Sequence, residues 1–320
     1  MGTEALSERA IVGSFYKALE QAAHPWANDL SFYNGMANQG LDIAEKYPWL
    51  GQVPTPREFI GGRQPKQLSQ NAYEIRNKRW EASLKIPLLD WRLDKTGQVQ
   101  VRVADLAARY QAHRARLLST LILAGPSALC YDGQYFFDTD HSEGSSGTQS
   151  NALSIDISAL PASQHGSVTA PSAGEMAQCI VQAIAAVYGF KDDQGEPMNE
   201  DATDFRVMVP ASLWMATTAA VGAKVLASGE DNPVAIAQME GFKLRVHANA
   251  RLTWTDRFAV FRADGRVKPF IFQEDGGVNS KILGPDSEYA TLNDEVLITT
   301  DAINNAGYGY WQHACQVIMT

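Results

Sequence analysis

The sequence predicts a mixed α+β chain on three observations: one long run of helical spacing, several short apolar runs of strand character, and a charged excursion of period two between turns. The long run spans 103–124. Val103, Leu106, Ala107, Tyr110, Leu117, Leu118, Leu121 and Ala124 fall on one helical face, and Gly125-Pro126 ends it. At 1.5 Å per residue it is roughly 33 Å long, enough to cross a domain.

The chain can build the core such a fold needs. Of its 320 residues 45% are hydrophobic and 20% charged, which excludes a disordered chain. Lys and Arg number 27 against 36 Asp and Glu, and the net charge of −9 argues against gripping phosphate backbones through bulk charge. No apolar run approaches the roughly 20 residues that span a bilayer, and the opening Met1-Gly2-Thr3-Glu4 carries no secretory pattern. Cys130, Cys179 and Cys315 are far apart and form no CxxC pair, so they read as buried small hydrophobes rather than a disulfide framework.

Taken in order, 7–23 has helical spacing through Ile11, Phe15, Leu19 and Ala22, and His24-Pro25 ends it. From 49 to 100 the character changes. Pro54, Pro56, Gly61, Gly62 and Pro65 break the chain, after which Tyr73 to Arg76 and Leu84 to Leu88 alternate with period two. Between Gly51 and Leu89 seven basic residues (Arg57, Arg63, Lys66, Arg76, Lys78, Arg79, Lys85) face three acidic ones. The segment therefore carries +4 and the remaining chain −13. A two-stranded excursion is marginal alone in water. Two readings stand: it lies on another, acidic copy of the chain, or its charges keep a solvated edge soluble.

Beyond the long helix, 142–147 is a Ser/Gly loop and 173–188 a second amphipathic helix. An acidic loop follows, with Asp192, Asp193, Glu196, Glu200, Asp201 and Asp204. Residues 205–210 read as a buried strand entering a helix at Ser212. Strands 257–262 and 267–272 flank Ala263-Asp264-Gly265-Arg266, where Asp-Gly predicts a hairpin. Residues 295–300 form another strand, and 308–319 contain the last.

Catalytic motifs are absent: no phosphate loop, HExxH, GxSxG or GxGxxG occurs. The best candidate cluster is Asp132, Asp138, Asp140 and His141, whose oxygens and imidazole suit a divalent metal. Along an extended chain Asp138 and Asp140 point opposite to His141, so convergence needs a turn, and Asp is itself a turn residue. His313 and Cys315 would share one strand face without an orienting partner. His113, on the apolar face of the long helix, reads as a core or interface histidine, and Trp80, Trp91, Trp214, Trp254 and Trp311 as packing residues.

Four stretches carry a resemblance. Tyr47-Pro48-Trp49-Leu50-Gly51 with Pro56 to Arg63, then Tyr73 to Glu81, Tyr131 to His141 and Ala306 to Gln312, fall in the order in which they occur in the Mu-like bacteriophage major capsid (major head subunit) family. Phe59 stands where that family has Trp, and the first 45 residues match poorly. The resemblance implies the tailed-phage capsid fold of the Hong Kong 97 type. It has an N-terminal arm (1–50), an extended β-loop (51–100), a peripheral domain with a spine helix at 103–124 (101–172 and 257–306), and an axial domain (173–256 and 307–320). It also implies a structural virion protein, assembled in the host cytoplasm, whose hexamers and pentamers tile an icosahedral head around double-stranded DNA. A scaffolding protein, a portal and a decoration protein would be its partners. No catalytic residue, metal, cofactor, membrane or sequence-specific DNA contact is expected, and the Asp132–His141 cluster becomes a structural turn. The loop cations Arg57, Arg63, Lys66, Arg76, Lys78, Arg79 and Lys85 become inter-subunit contacts, without the Lys–Asn cross-link that some shells of this fold carry. The rival readings are an encapsulin-like nanocompartment shell, a metal-dependent hydrolase built on the Asp-rich turn, and a tail-tube protein.

Overall fold

The computed structural model describes residues 8–21, 24–36, 44–47, 50, 73–93, 97–162, 164–226, 229 and 231–320. Arg57, Arg63 and Lys66, and most of the stretch resembling the family's opening, lie outside the described residues.

The first helix, α1 (Glu8–Gln21), buries Ile11 and Phe15, the positions its spacing predicts. Pro25 then opens α2 (Pro25–Leu30), a position where a missing N–H costs nothing. Strands β1 (Ser31–Met36), β2 (Ala44–Lys46), β3 (Glu74–Arg76) and β4 (Lys78–Pro87) precede the short α3 (Leu88–Leu93). The long helix, α4, runs Gln98–Ala124, five residues earlier in its start than the apolar spacing indicates. Val99 supplies the extra buried contact in that added turn.

Gly125 ends α4, but for a different reason than the sequence suggests. Its φ of −47° and ψ of −42° are right-handed, so no left-handed cap is formed. Instead, a Cβ there would sit 2.8 Å from Phe137 Cε2 and closer still to Cδ2. The glycine makes room for a buried ring.

The second half contains β5 (Ala152–Ile155), α5 (Ala173–Gly189), β6 (Asp204–Val209), α6 (Trp214–Gly222), α7 (Pro233–Met239), β7 (Lys243–Ala248) and β8 (Arg257–Arg262). It closes with β9 (Phe270–Leu283), α8 (Glu288–Asn293), β10 (Glu295–Tyr308) and β11 (Ala314–Met319). A reciprocal cap starts α5: Ser172 Oγ accepts from Glu175 N at 3.2 Å, and Glu175 Oε2 accepts from Ser172 N at 2.7 Å.

Two sheets organise the chain. The first has the order β1-β9-β10-β4, with β1 parallel to β9 and the other pairs antiparallel. The second has the order β5-β11-β8-β6-β7, with parallel pairs at both ends. A small pair joins β2 to β3. Along β10, Val296, Ile298, Thr300, Ala302, Asn304 and Ala306 alternate inward. Val296 and Ile298 share one core with Ile11, Phe15, Ile86, Trp91, Val99, Val103 and Ala107. A larger core joins the C-terminal half of α4 to α5 and the five-stranded sheet, through Leu118, Ile122, Ile180, Val187, Val207 and Phe261.

One sequence expectation changes. The strands flanking Asp264-Gly265 are not a hairpin: β8 lies in the five-stranded sheet and β9 in the four-stranded one. Asp264 turns the chain between them by accepting from Thr203 N at 2.6 Å and Arg262 Nε at 2.7 Å, so it serves the crossover rather than a tight turn. The described part of the basic excursion pairs within the chain. Residues 78–87 pair with β10 over ten register positions, from Asn304↔Lys78 to Glu295↔Pro87, as the edge strand of a sheet.

Candidate functional site

Of the loop cations, Arg76, Lys78, Arg79 and Lys85 are described, and all four are exposed. The outward direction of Arg79 and Lys85 follows from β4's period: Trp80, Ala82, Leu84 and Ile86 face inward while Arg79, Glu81, Ser83 and Lys85 face out. Arg79 Nη2 meets Asp301 Oδ1 at 3.1 Å, Lys85 Nζ meets Glu295 Oε2 at 3.3 Å, and Arg76 Nε meets Glu74 Oε1 at 3.5 Å. Exposed pairs of this kind contribute little, because water screens the two charges. Three of the four cations are thus paired within the chain, while one side of β4 carries no strand among the described residues.

The Asp-rich turn folds differently from a four-ligand metal set. His141 Nδ1 and Asp132 Oδ2 lie 2.7 Å apart with both side chains buried, and Cys130 Sγ donates to Asp132 Oδ1 at 2.9 Å. These three could offer sulfur, oxygen and nitrogen atoms within 4.8 Å of one another. Asp138 and Asp140 stay outside. The Asp138 carboxylate accepts from Tyr135 N at 3.1 Å and Thr139 N at 2.8 Å as a local turn, and Asp140 is exposed. Burial raises the Asp132 pKa, but hydrogen bonds from His141, Cys130 and Gln134 N outweigh it and hold the carboxyl below its ordinary value. Burial pushes the Cys130 thiol up, so it remains a protonated donor to that carboxylate.

This cluster is one wall of a buried joint. The chain leaves the four-stranded sheet at Tyr308 and enters the five-stranded sheet at Ala314, so residues 309–313 cross between the sheets. Trp311, fully buried, lies flat on His141 with centroids 3.9 Å apart, meets Phe190 edge-on at 5.4 Å, and donates from Nε1 to Glu143 Oε1 at 3.1 Å. Tyr131 OH donates to Gln312 Oε1 at 3.0 Å, and Phe136 stacks on Tyr308 at 4.5 Å. Asn151 Nδ2 donates to Phe136 O at 2.8 Å, and Asn199 Nδ2 donates to Gln312 O, a buried carbonyl of the crossover, at 2.8 Å. Burial, helped by the charges of Asp132 and Asp193, raises the Glu143 pKa against hydrogen bonds from Tyr131 and Trp311.

The stretches Tyr131 to His141 and Ala306 to Gln312 therefore meet in space. Sequence reading singled out both but not Cys130, Glu143, Asn151 or Asn199 as their partners. Cys130-x-Asp132 is the one local signal, since spacing of two places both side chains on one face of an extended chain. His313 and Cys315 do not form a reactive pair. Burial pushes the His313 imidazole down to about 3 and the Cys315 thiol up to about 12, so both are held neutral. His113 packs edge-on against Trp80 with centroids 4.4 Å apart.

Comparison with known proteins agrees with this geometry. The family model described as Mu-like prophage major head subunit gpT matches residues 10–159 and 237–319, which include both halves of the joint. The Mu-like prophage FluMu major head subunit of Haemophilus influenzae is 35% identical over 109 residues, covering 34% of this chain and 35% of that protein. The major capsid protein of Escherichia phage Mu is 33% identical over 95 residues, covering 30% and 31%. The matched stretch thus spans about a third of the length of these curated relatives. Among solved structures, the bacteriophage JBD30 procapsid covers 100% of this chain and 77% of its own, at 21% identity and a TM-score of 0.55. The mature capsid of bacteriophage PhiM1 covers 92% and 86%, at 11% identity and a TM-score of 0.53. The fold is that of tailed-phage capsid proteins. With the family model matching most of its residues, the chain belongs to the Mu-like prophage major head subunit gpT family.

Proposed function

We propose that this chain is the major capsid subunit of a phage head, copies of which assemble as hexamers and pentamers into a closed icosahedral shell around double-stranded DNA. The observation that carries the reading is the family match on both sides of residues 160–236, which takes in the joint that fixes one sheet against the other. The surface supports it. Leu89 is 67% exposed, Leu283 41% and Leu292 76%, all where β4 and β9 end and β10 begins. Beside them runs the edge of β4 with Lys78, Arg79 and Lys85. Heterologous surfaces that close into rings suit such an edge, and obligate interfaces bury on the order of 2,000–5,000 Å².

Arg57, Arg63, Lys66, Arg76, Lys78, Arg79 and Lys85 would contact a neighbouring subunit, whose net charge is also −9. The domain division is an arm at 1–50, an extended loop at 51–100, a peripheral domain at 101–172 and 257–306, and an axial domain at 173–256 and 307–320. Assembly takes place in the host cytoplasm with a separate scaffolding protein and a portal, and the mature chain resides in the virion. The JBD30 capsid is decorated with minor capsid protein trimers, and a decoration protein is proposed here by analogy. DNA is enclosed without sequence-specific contacts by a subunit that is not an enzyme. A strongly basic inner shell surface would contradict the weakly repelling wall that the acidic total implies. Lys66 and Lys78 form no covalent cross-link, and a ladder of multimers on a denaturing gel would overturn that point.

Negative-stain electron microscopy with size-exclusion chromatography of the expressed chain tests the reading. Shells, or rings of five and six subunits, are expected. A uniform monomer or dimer, even with a scaffold candidate present, would sink it. One observation favours a second reading: a virus-like particle from Pyrococcus furiosus covers 97% of this chain at 8% identity and a TM-score of 0.50. That likeness concerns the fold, while the family match favours the phage head. Nuclease-protected DNA inside purified particles separates the two.

A further inference from the structure

The five-stranded sheet has two outer strands, β7 (Lys243–Ala248) and β5 (Ala152–Ile155), about 19 Å apart at four strand spacings. Their surroundings carry opposite charge. On β7, Lys243 and Arg245 are exposed and share one face, and no carboxylate occurs between Lys243 and Ala248. The carboxylates beside them are already engaged. Asp204 stands opposite Lys243 in the β6–β7 register and accepts from Arg206 Nη2 at 3.2 Å, and Asp29 accepts from Arg206 Nε at 2.8 Å. Neither Lys243 nor Arg245 forms an ion pair among the described residues. No strand lies on the outer side of β7 among the described residues.

At the β5 edge the turn between α5 and β6 is acidic: residues 191–200 hold Asp192, Asp193, Glu196 and Glu200 against Lys191. The turn is fastened to the segment that leads into β5. Ser145 N donates to Asp193 O at 2.8 Å, and Lys191 N donates to Gln149 Oε1 at 2.7 Å. Asp192 Oδ1 shapes the turn by accepting from Gln194 N at 2.9 Å and Glu196 N at 3.0 Å. Glu196 and Glu200 are left exposed, with no ion pair among the described residues.

One edge of the sheet is thus basic and the other acidic. A surface of one sign repels its own copy, so neither edge suits a contact with itself across a twofold axis, and each complements the other. Head-to-tail contacts of that kind place each copy between two others and close into a ring where the rotation permits. We propose that the β7 edge docks on the acidic turn of a second copy, with Lys243 and Arg245 meeting Glu196 and Glu200 of the neighbour. The inference rests on the assembly reading and adds which two surfaces meet. Exposed ion pairs contribute little singly, so the charges select the facing surface and its orientation while apolar burial supplies affinity. Cations on an open strand edge also deter edge-to-edge pairing, and the experiment separates that role from docking.

Two variants carry the test: Lys243→Glu with Arg245→Glu, and Glu196→Lys with Glu200→Lys. All four side chains are exposed, and an unchanged melting temperature checks that each variant folds. Size-exclusion chromatography with negative-stain electron microscopy reads the concentration at which rings or shells form. Each variant alone should need at least about tenfold more protein than the parent. An equimolar mixture should restore rings of six, because a reversed β7 edge then meets a reversed turn in alternation. Variants that assemble like the parent, or a mixture that assembles no better than either variant, would overturn the inference and leave the assembly reading standing. A parent chain that forms neither rings nor shells would overturn both.

Discussion

The His141 imidazole lies against the Trp311 indole with ring centroids 3.9 Å apart and planes within 6° of parallel. The contact joins a turn that follows the long helix to the crossover between two sheets, so its strength bears on how the sheets sit relative to each other. Trp311→Ala removes a fully buried indole, its stacking partner and the donor to Glu143, and the expected cost is about 3–5 kcal/mol. Urea denaturation of the unassembled chain reads this directly. A loss under 1 kcal/mol, estimated as that of a surface substitution, would show that the joint does not hold the sheets.

Asp132 makes its contribution at neutral pH. Its folded pKa is below the ordinary 3.8, so the stabilisation is fully present above that unfolded value and is lost as pH falls through the folded one. Asp132→Asn should therefore be less stable than the parent at pH 7, with the gap closing on acidification below the ordinary value. A constant gap down to strong acid would exclude the linkage.

Glu143 has the opposite sign. Its folded pKa is raised above the ordinary 4.5, so ionisation opposes folding at neutral pH and the penalty disappears below the unfolded value. Glu143→Gln keeps an acceptor for Trp311 Nε1 and should raise the melting temperature at pH 7 but not below that value. A variant less stable than its parent at neutral pH would contradict the assignment.

His313 supplies an acid-side slope. The unfolded imidazole takes a proton below about 6.5, while burial holds the folded one down to about 3. Stability should then fall as pH drops between these values, by up to about 1.4 kcal/mol per pH unit. His313→Gln should flatten that part of the profile, and identical slopes in the two proteins would rule the group out as its source.

Gly125→Ala tests the close approach at the end of α4. The added methyl meets the Phe137 ring, and overpacking of this kind costs about 1–3 kcal/mol. Phe137→Leu in the same chain should recover part of the loss. If the double variant is simply the sum of the two single ones, the glycine has another purpose.

Local patterns were legible. The period of 3.6 through Ile11 and Phe15 and the run from Val103 to Ala124 each became the helix they indicated, and the alternation at Leu84 to Pro87 fell within β4, because burial of one face follows directly from side-chain periodicity. The Tyr131–His141 and Ala306–Gln312 stretches were legible as motifs, and the first was also read as a structural turn. Their role as one joint was not, because 181 residues separate Tyr131 from its partner Gln312.

By itself, then, the sequence determined the class of the fold, the place of its longest helices and of several strands, and the resemblance to a capsid family. Only the tertiary structure decided the partners. It sent the strands on either side of Asp264-Gly265 to different sheets, gave β4 a neighbour in β10, and drew Cys130 rather than Asp138 and Asp140 to the Asp132–His141 pair. The reason is physical. Periodicity states which face of an element must be covered, whereas strand pairing and buried hydrogen bonds depend on which distant groups arrive to cover it.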